Sequence, residues 1–279
     1  MLPPLMADLE RVHARLLEWY TSNARDLPWR RTRDPYAILV AEVMLQQTQV
    51  ERVIPKWVEW LASFPTLADL ARATRADAIR AWQGLGYNLR AVRLHAIAQQ
   101  TLAEYGGVLP RDVEGLLRLK GIGRYTAGAV ACFAYAQPVG MVDTNVRRVL
   151  SRVFGWPASA VEELAESVVP ASDAYAWNQA LMDLGATLCR ARQPLCLVCP
   201  LVGDCGGPHA AVSSLKTAAG QFKGSRRYHR GRVIQALREL PAGESMRLSD
   251  FGDRRELVER LAADGLVRID ADERVRLAD

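Results

Sequence analysis

The tightest constraint on this chain is a set of four cysteines, Cys189, Cys196, Cys199 and Cys205, spaced C-x6-C-x2-C-x5-C. They are all but one of the 5 cysteines in 279 residues. Pro194, Pro200, Gly203, Gly206 and Gly207 lie among or just after them, so the segment reads as a loop-rich knuckle and not as a long helix. Its thiolates can close around one metal centre. Disulfides would suit a secreted chain, but the start MLPPLMADLERVHARLLEWY lacks a basic opening and a continuous apolar core, so no secretory signal is expected. Cysteine clusters of intracellular proteins are more often metal sites than disulfides. Zinc accepts four thiolates, usually from two tight hooks. Only Cys196 and Cys199 form such a hook here. A [4Fe–4S] cubane takes one thiolate per corner and fits wider arms, so the spacing favours a cluster and leaves zinc open. Cys132, inside AGAVACFAYA, reads as a small core residue.

The rest of the chain reads mostly helical. Apolar residues recur at three- and four-residue spacing in LERVHARLLEWY, PTLADLARAT, NLRAVRLHAIAQQTLAEY and VEELAESVV. Turn signals separate these runs: DLPW, FPT, GLGY, YGGVLP, KGIG and GWP. No apolar run approaches the roughly 20 residues of a membrane span. With 49% hydrophobic residues the chain can bury a core spread over one to three domains, and a net charge of +5 mildly suits a polyanionic partner. Residues 208–228 lack a pattern and read as a linker. Beyond it, GRVIQALREL and RRELVERLAADGLV read as helices and LVRIDADERVRLAD as strand–turn–strand, which suggests a small winged-helix unit over 229–279.

Three local features carry chemistry. In LLRLKGIGRYTAGAVACFAY, a helix runs into Gly121-Ile122-Gly123 and a second helix follows. Glycines permit positive φ and expose backbone N–H groups, which with the next helix N-terminus make a nest for one phosphate. Ile122 is expected to anchor the turn in the core. Asp143, in VDTNV, precedes the helical pattern VRRVLSRVF, so an N-cap is its plain reading. Glu42 sits inside the apolar AILVAEVMLQQTQV. On a partly exposed helix it would be one polar face; if buried, it would hold its proton more tightly, as a general acid must.

Taken together, LKGIGRYTA, VDTNVRRVL and the cysteine knuckle resemble the endonuclease III superfamily of DNA glycosylases. LPWRRTRDPY, EVMLQQTQVERVIP and WQGLGYNLRAVRLH narrow the resemblance to MutY-type adenine glycosylases, over about residues 8–207. The resemblance implies a mainly α, two-lobed helix-hairpin-helix fold. Residues 1–27 and 142–207 would form an iron–sulfur lobe around one [4Fe–4S] cluster, and 28–141 a six-helix lobe. It implies that Glu42 protonates a flipped adenine and that Asp143, held by Asn145, stabilises the sugar cation. Tyr125 stands where endonuclease III carries its Schiff-base lysine, which implies a monofunctional enzyme. Gln46, Gln47 and Tyr87 match residues that wedge into the duplex or meet the opposite base. Trp29 and Arg30 match the pocket edge, and Gly121, Ile122 and Gly123 the phosphate hook. The implied partner is double-stranded DNA with a mismatched or oxidised base pair, bound by a cytoplasmic monomer with no membrane association.

Two departures stand out. Thr144 replaces the family's usual glycine. The tail is also too short for the β-rich domain with which such enzymes usually recognise 8-oxoguanine. A thymine or uracil mismatch glycosylase is the nearest alternative, since those relatives also combine Tyr125 with Asp143; Glu42 argues for adenine, because a pyrimidine has no N7 to protonate. A non-catalytic iron–sulfur DNA-binding protein is the remaining alternative, and retention of both carboxylates argues against it.

Overall fold

The computed structural model describes residues 8–207, 222–241 and 243–279. The first helices are α1 (Leu9–Asn23), α2 (Pro35–Leu45), α3 (Val50–Ser63), α4 (Leu67–Arg72), α5 (Arg75–Ala81) and α6 (Leu89–Tyr105). Then follow α7 (Val113–Leu117), α8 (Arg124–Tyr135), α9 (Thr144–Phe154), α10 (Val161–Leu164) and α11 (Ala174–Thr187). The tail holds α12 (Arg226–Arg238), β1 (Met246–Arg247), α13 (Arg255–Ala263), β2 (Val267–Ile269) and β3 (Arg274–Leu277). Local chemistry sets many of the boundaries. Thr66 with Asp69, and Thr74 with Asp77, form reciprocal capping boxes that start α4 and α5. Gly106 and Gly155 end α6 and α9 in the left-handed conformation, at φ 63° and 67°.

The described residues divide into two compact units. The first holds 8–39, 110–117 and 123–207. Its core packs Val12 and Leu16 of α1 against Val149, Val153 and Phe154 of α9 and Trp177, Leu181 and Leu184 of α11. At 0% exposure Leu201, inside the knuckle, belongs to this core, so the cysteine segment is welded to the unit and does not hang from it. Asp204 reinforces the weld: its carboxylate accepts from Arg11 and, at 2.8 Å, from Arg15 of α1.

The second unit holds 40–109, 118–122 and the described residues from 222 on. Trp60 and Trp82 meet edge to face with ring centroids 5.3 Å apart and are fully buried. The tail strands pair antiparallel in the order β1-β3-β2, with Met246 opposite Val275 and Val267 opposite Leu277. Along β3, Val275 and Leu277 are buried while Arg274 is exposed, the alternation a half-buried strand requires.

The helices and the hairpin read in the tail sequence are present; β1 is added, too short for alternation to signal. Residues 208–221 of the stretch read as linker lie outside the described residues. Its end is already helical, because Ser225 caps α12 by accepting from the Tyr228 N–H. The units also divide the chain differently from the lobes read in the sequence. Residues 28–39 and 123–141 fall with the knuckle, where Asn178 of α11 receives the Met141 N–H at 3.2 Å and donates to the Val139 carbonyl at 2.9 Å. The tail, in turn, shares a core with α5: Ala76 and Ile79 pack with Val233, Ile234, Leu237, Phe251, Val258 and Val275.

Candidate active site

Asp143 is the N-cap of α9. Its Oδ1 accepts the Asn145 N–H at 2.8 Å and the Val146 N–H at 2.7 Å, while among the described residues Oδ2 accepts only the Asn145 side-chain amide, at 3.3 Å. The cap therefore orients the carboxylate and leaves one oxygen largely uncommitted. Asn145 is itself held. Its Oδ1 accepts from Arg148 at 2.8 Å, and the same guanidinium donates to the Cys189 carbonyl at 2.7 Å and the Gly185 carbonyl at 2.7 Å. A continuous chain of hydrogen bonds thus joins the first knuckle cysteine to Asp143. Gly185 makes room for it, since a Cβ there would lie 2.7 Å from the Asn145 Cβ. Arg148 and Gly185 were not singled out in the sequence: one reads as a surface charge of an amphipathic helix, the other as a weak point in α11. Thr144 is exposed, and Asp143, not Thr144, supplies the cap.

The knuckle brings all four cysteines to one cavity of about 180 Å³, lined also by Val149, Val153, Leu184, Leu188 and Leu201. None of the four forms a disulfide with another described residue. Burial pushes the Cys199 thiol up to about 11, with a smaller downward pull from the Leu201 backbone; burial also raises Cys205. Arg152 donates to the Arg190 carbonyl at 2.8 Å and approaches the Cys189 sulfur at 3.4 Å. Among the described residues no three His, Cys, Asp or Glu side chains are grouped as ligands for a single ion. Cys132 is 1% exposed on α8, the core residue its sequence context suggested.

Tyr125 is half-buried on the first turn of α8. Before it, Gly121 has φ 107°, a conformation that favours glycine, and Ile122 is buried at 7% exposure, as its anchoring role requires. Gly123 differs. Its φ of −94° suits any residue, α8 starts there with no side-chain cap, and a Cβ would meet nothing within 4 Å. The open space in front of it leaves room at the start of α8, the arrangement an anion needs. Trp29 is 6% exposed on a short helical turn at Pro28–Arg30. Arg30 is committed to a buried carboxylate, donating to Asp183 at 2.7 and 2.8 Å.

In the second unit Glu42 is 5% exposed, between Ala41 at 0% and Val43 at 6%. The alternative of a solvent-facing polar stripe is excluded. The segment after α2 bears Gln46 and Gln47, and Gln47 holds φ 55°; Tyr87 holds φ 46° and is 44% exposed. Non-glycine residues in this region cluster where function demands a particular geometry. Both segments hang on Arg90, which the sequence did not reveal. Its guanidinium donates to the carbonyls of Val43, Met44, Gln46, Leu85 and Gly86, at 2.6–3.2 Å, and to the Thr48 hydroxyl.

These features have counterparts in known proteins. Residues 40–171 match the family model described as HhH-GPD superfamily base excision DNA repair protein. An adenine DNA glycosylase of Mycolicibacterium smegmatis is 42% identical over 278 residues, covering 94% of each chain. The chain belongs to the adenine DNA glycosylase family. Among solved structures, a thermostable thymine-DNA glycosylase is 32% identical with a TM-score of 0.67, covering 71% of this chain and 94% of its own. A non-covalent endonuclease III–DNA complex shares the fold at 24% identity and a TM-score of 0.61, over 74% and 96% of the two chains. The mainly helical, helix-hairpin-helix architecture expected from the sequence is thereby borne out. The residues read for the chemistry fall in both units. Asp143, Asn145, Tyr125 and the cysteines belong to the first; Glu42, Gln46, Gln47 and Tyr87 belong to the second.

Proposed function

We propose that this enzyme hydrolyses the N-glycosidic bond of adenine mispaired with 8-oxoguanine or guanine in double-stranded DNA, acting as a monofunctional cytoplasmic monomer. The observation that carries the reading is the 42% identity to an adenine DNA glycosylase across 94% of both chains. Adenine leaves the stack before it is read. Glu42, buried in α2, protonates N7 and makes the base a better leaving group. The sugar develops positive charge, which the uncommitted oxygen of Asp143 offsets while Asn145 fixes the carboxylate. This is the division of labour of two carboxylates at a glycosidic bond. Tyr125 supplies no amine, so no Schiff base forms and the strand stays intact.

The four cysteines fit a [4Fe–4S] cluster: all four line one apolar cavity, and a cubane takes one thiolate at each corner. When bound, the cluster supplies structural and electrostatic support and takes no part in breaking the bond. Cys189 carries that support to Asp143 through Arg148 and Asn145. The tail, with α12, α13 and a three-stranded sheet, supports a winged-helix assignment.

A thymine or uracil mismatch glycosylase is the second reading, favoured by the 32% identity to the thymine-DNA glycosylase structure. A panel of duplexes bearing A, T or U opposite 8-oxoguanine or G, treated with alkali after incubation, separates the two. Cleavage at A alone is expected. Cleavage only at T or U would overturn the adenine reading, and breaks before alkali would overturn the monofunctional one. Asp143→Asn keeps a good N-cap and is expected to abolish base release while duplex binding persists; full activity would refute the role of Asp143.

A further inference from the structure

The second unit contains a groove of about 1080 Å³ whose walls are the Gln46–Gln49 and Gly84–Arg90 segments and the tail helix α12. Arg52, Arg93, Arg227 and Arg230 line it, against a single carboxylate, Asp264, which pairs with Arg230. The groove is therefore cationic, as a nucleic-acid backbone requires. Its aromatic centre is Tyr87. The Arg227 guanidinium lies 4.8 Å from the Tyr87 ring centroid and donates to the Tyr87 hydroxyl, while Phe222 backs the same guanidinium at 4.9 Å. Arg238, from the far end of α12, donates to the Ile79 carbonyl at 2.7 and 3.0 Å and to the Asn88 side chain at 2.9 Å. One tail helix thus grips both Tyr87 and the residue after it.

We propose that α12 is part of the mismatch-reading surface, with Arg227 as the positioning residue of Tyr87. Arg227 holds the exposed ring ready to stack beside the unpaired base left in the duplex, and its remaining N–H groups meet a phosphate of that strand. An aromatic ring offers a stacking face to any base, so orientation is what makes it selective. Arginine suits this double duty because its planar fork stacks and donates at the same time, which lysine cannot do. The inference deepens the glycosylase reading and rests on it for placing Tyr87 at the duplex.

The test measures anisotropy of labelled duplexes with the full-length protein, comparing A opposite 8-oxoguanine with a fully paired duplex, and uses melting temperature as the folding control. Arg227→Ala is expected to reduce the preference for the mismatched duplex by about five- to tenfold. Tyr87→Ala should match it, and the double variant should lose no more than Tyr87→Ala alone, because one residue acts through the other. Arg227→Lys should restore the salt dependence of binding but not the preference. A preference unchanged within about twofold, an equal loss on the paired duplex, or losses that multiply in the double variant would each overturn the proposal. Affinity is read separately from base release, so a wild type that releases no adenine would count against the glycosylase reading while the affinity ratio still decides this one.

Discussion

Arg30 and Arg90, one in each unit, hold their guanidinium groups by opposite means. Arg30, in the first, faces a carboxylate: it makes a two-pronged pair with Asp183, which also receives the backbone N–H and guanidinium of Arg25. Burial alone would lower the Arg30 pKa, but the hydrogen bonds and charge of Asp183 more than reverse it. Arg90, in the second, meets no carboxylate among the described residues. Five carbonyls and a hydroxyl surround it, and burial brings its pKa down to about 10. Three of those carbonyls belong to the C-terminal end of α2 and the residue just past it, where the helix dipole favours a cation. The ion pair neutralises itself and anchors a core. The carbonyl cage stays charged and ties together two segments assigned to DNA. The same side chain is used for rigidity in one place and for shaping a reading surface in the other.

The largest effect is expected from breaking the ion pair. Asp183→Asn keeps the volume but strands two arginines, and should cost about 3–5 kcal/mol in urea unfolding. The pair also has a pH signature. Burial raises the Asp183 pKa, its arginine and backbone partners lower it further, and the net is downward from 3.8. A carboxylate depressed in the folded state contributes its stability fully above the unfolded value and loses it as pH falls through the folded one. Acid unfolding of the wild type should therefore steepen below about pH 4, and Asp183→Asn should flatten that slope. A variant as stable as wild type would refute the contrast, since Arg30 would then resemble Arg90.

A smaller and more local loss is expected at Arg90. Arg90→Met leaves the carbonyls of Val43, Met44, Leu85 and Gly86 without this donor and should cost about 2–3 kcal/mol. The distinguishing readout is amide exchange. Protection should fall at residues 46–48 and 85–88 while the α9 and α11 core keeps its own. A uniform loss across both units would show that Arg90 anchors a core as Arg30 does.

Much of this was legible in the sequence where a local rule operates. The helix periodicities, the Gly121 turn, the Asp143 cap and the buried Ile122 all follow from neighbours a few residues apart. The cysteine knuckle was legible for the same reason, since its four cysteines lie in one short segment. What stayed hidden is made by partners distant in the chain. Arg30 meets Asp183 across 153 positions, and Arg238 meets Asn88 across 150. Arg90 sits in NLRAVRLH as an ordinary helix residue, and nothing nearby says that backbone carbonyls some 45 residues back await it. Glu42 lay between these cases: its apolar surroundings were plain, but only packing could decide whether they were buried.

The weakest predicted effect tests whether the second unit tolerates another buried cation as it tolerates Arg90. His95, at 3% exposure, donates from Nε2 to the Ala73 carbonyl at 2.8 Å, and its Nδ1 has no partner among the described residues. Protonating Nδ1 would bury an unmatched N–H. Burial lowers the His95 pKa, the Ala73 bond raises it less, and Arg75 lowers it again, for a net shift below 6.5. The unfolded chain then binds the proton more readily, so stability is complete above the unfolded value and declines as pH falls from 6.5 toward the folded one. The wild type should lose stability over that window, less than it loses through the Asp183 transition. His95→Gln, which can still donate to Ala73, should remove the slope and leave the Asp183 transition at lower pH in place. An unchanged slope near pH 6 would mean that the unit accommodates a charged His95 as it does Arg90, and the carbonyl cage would then be one instance of a general tolerance and not a device specific to the reading loops.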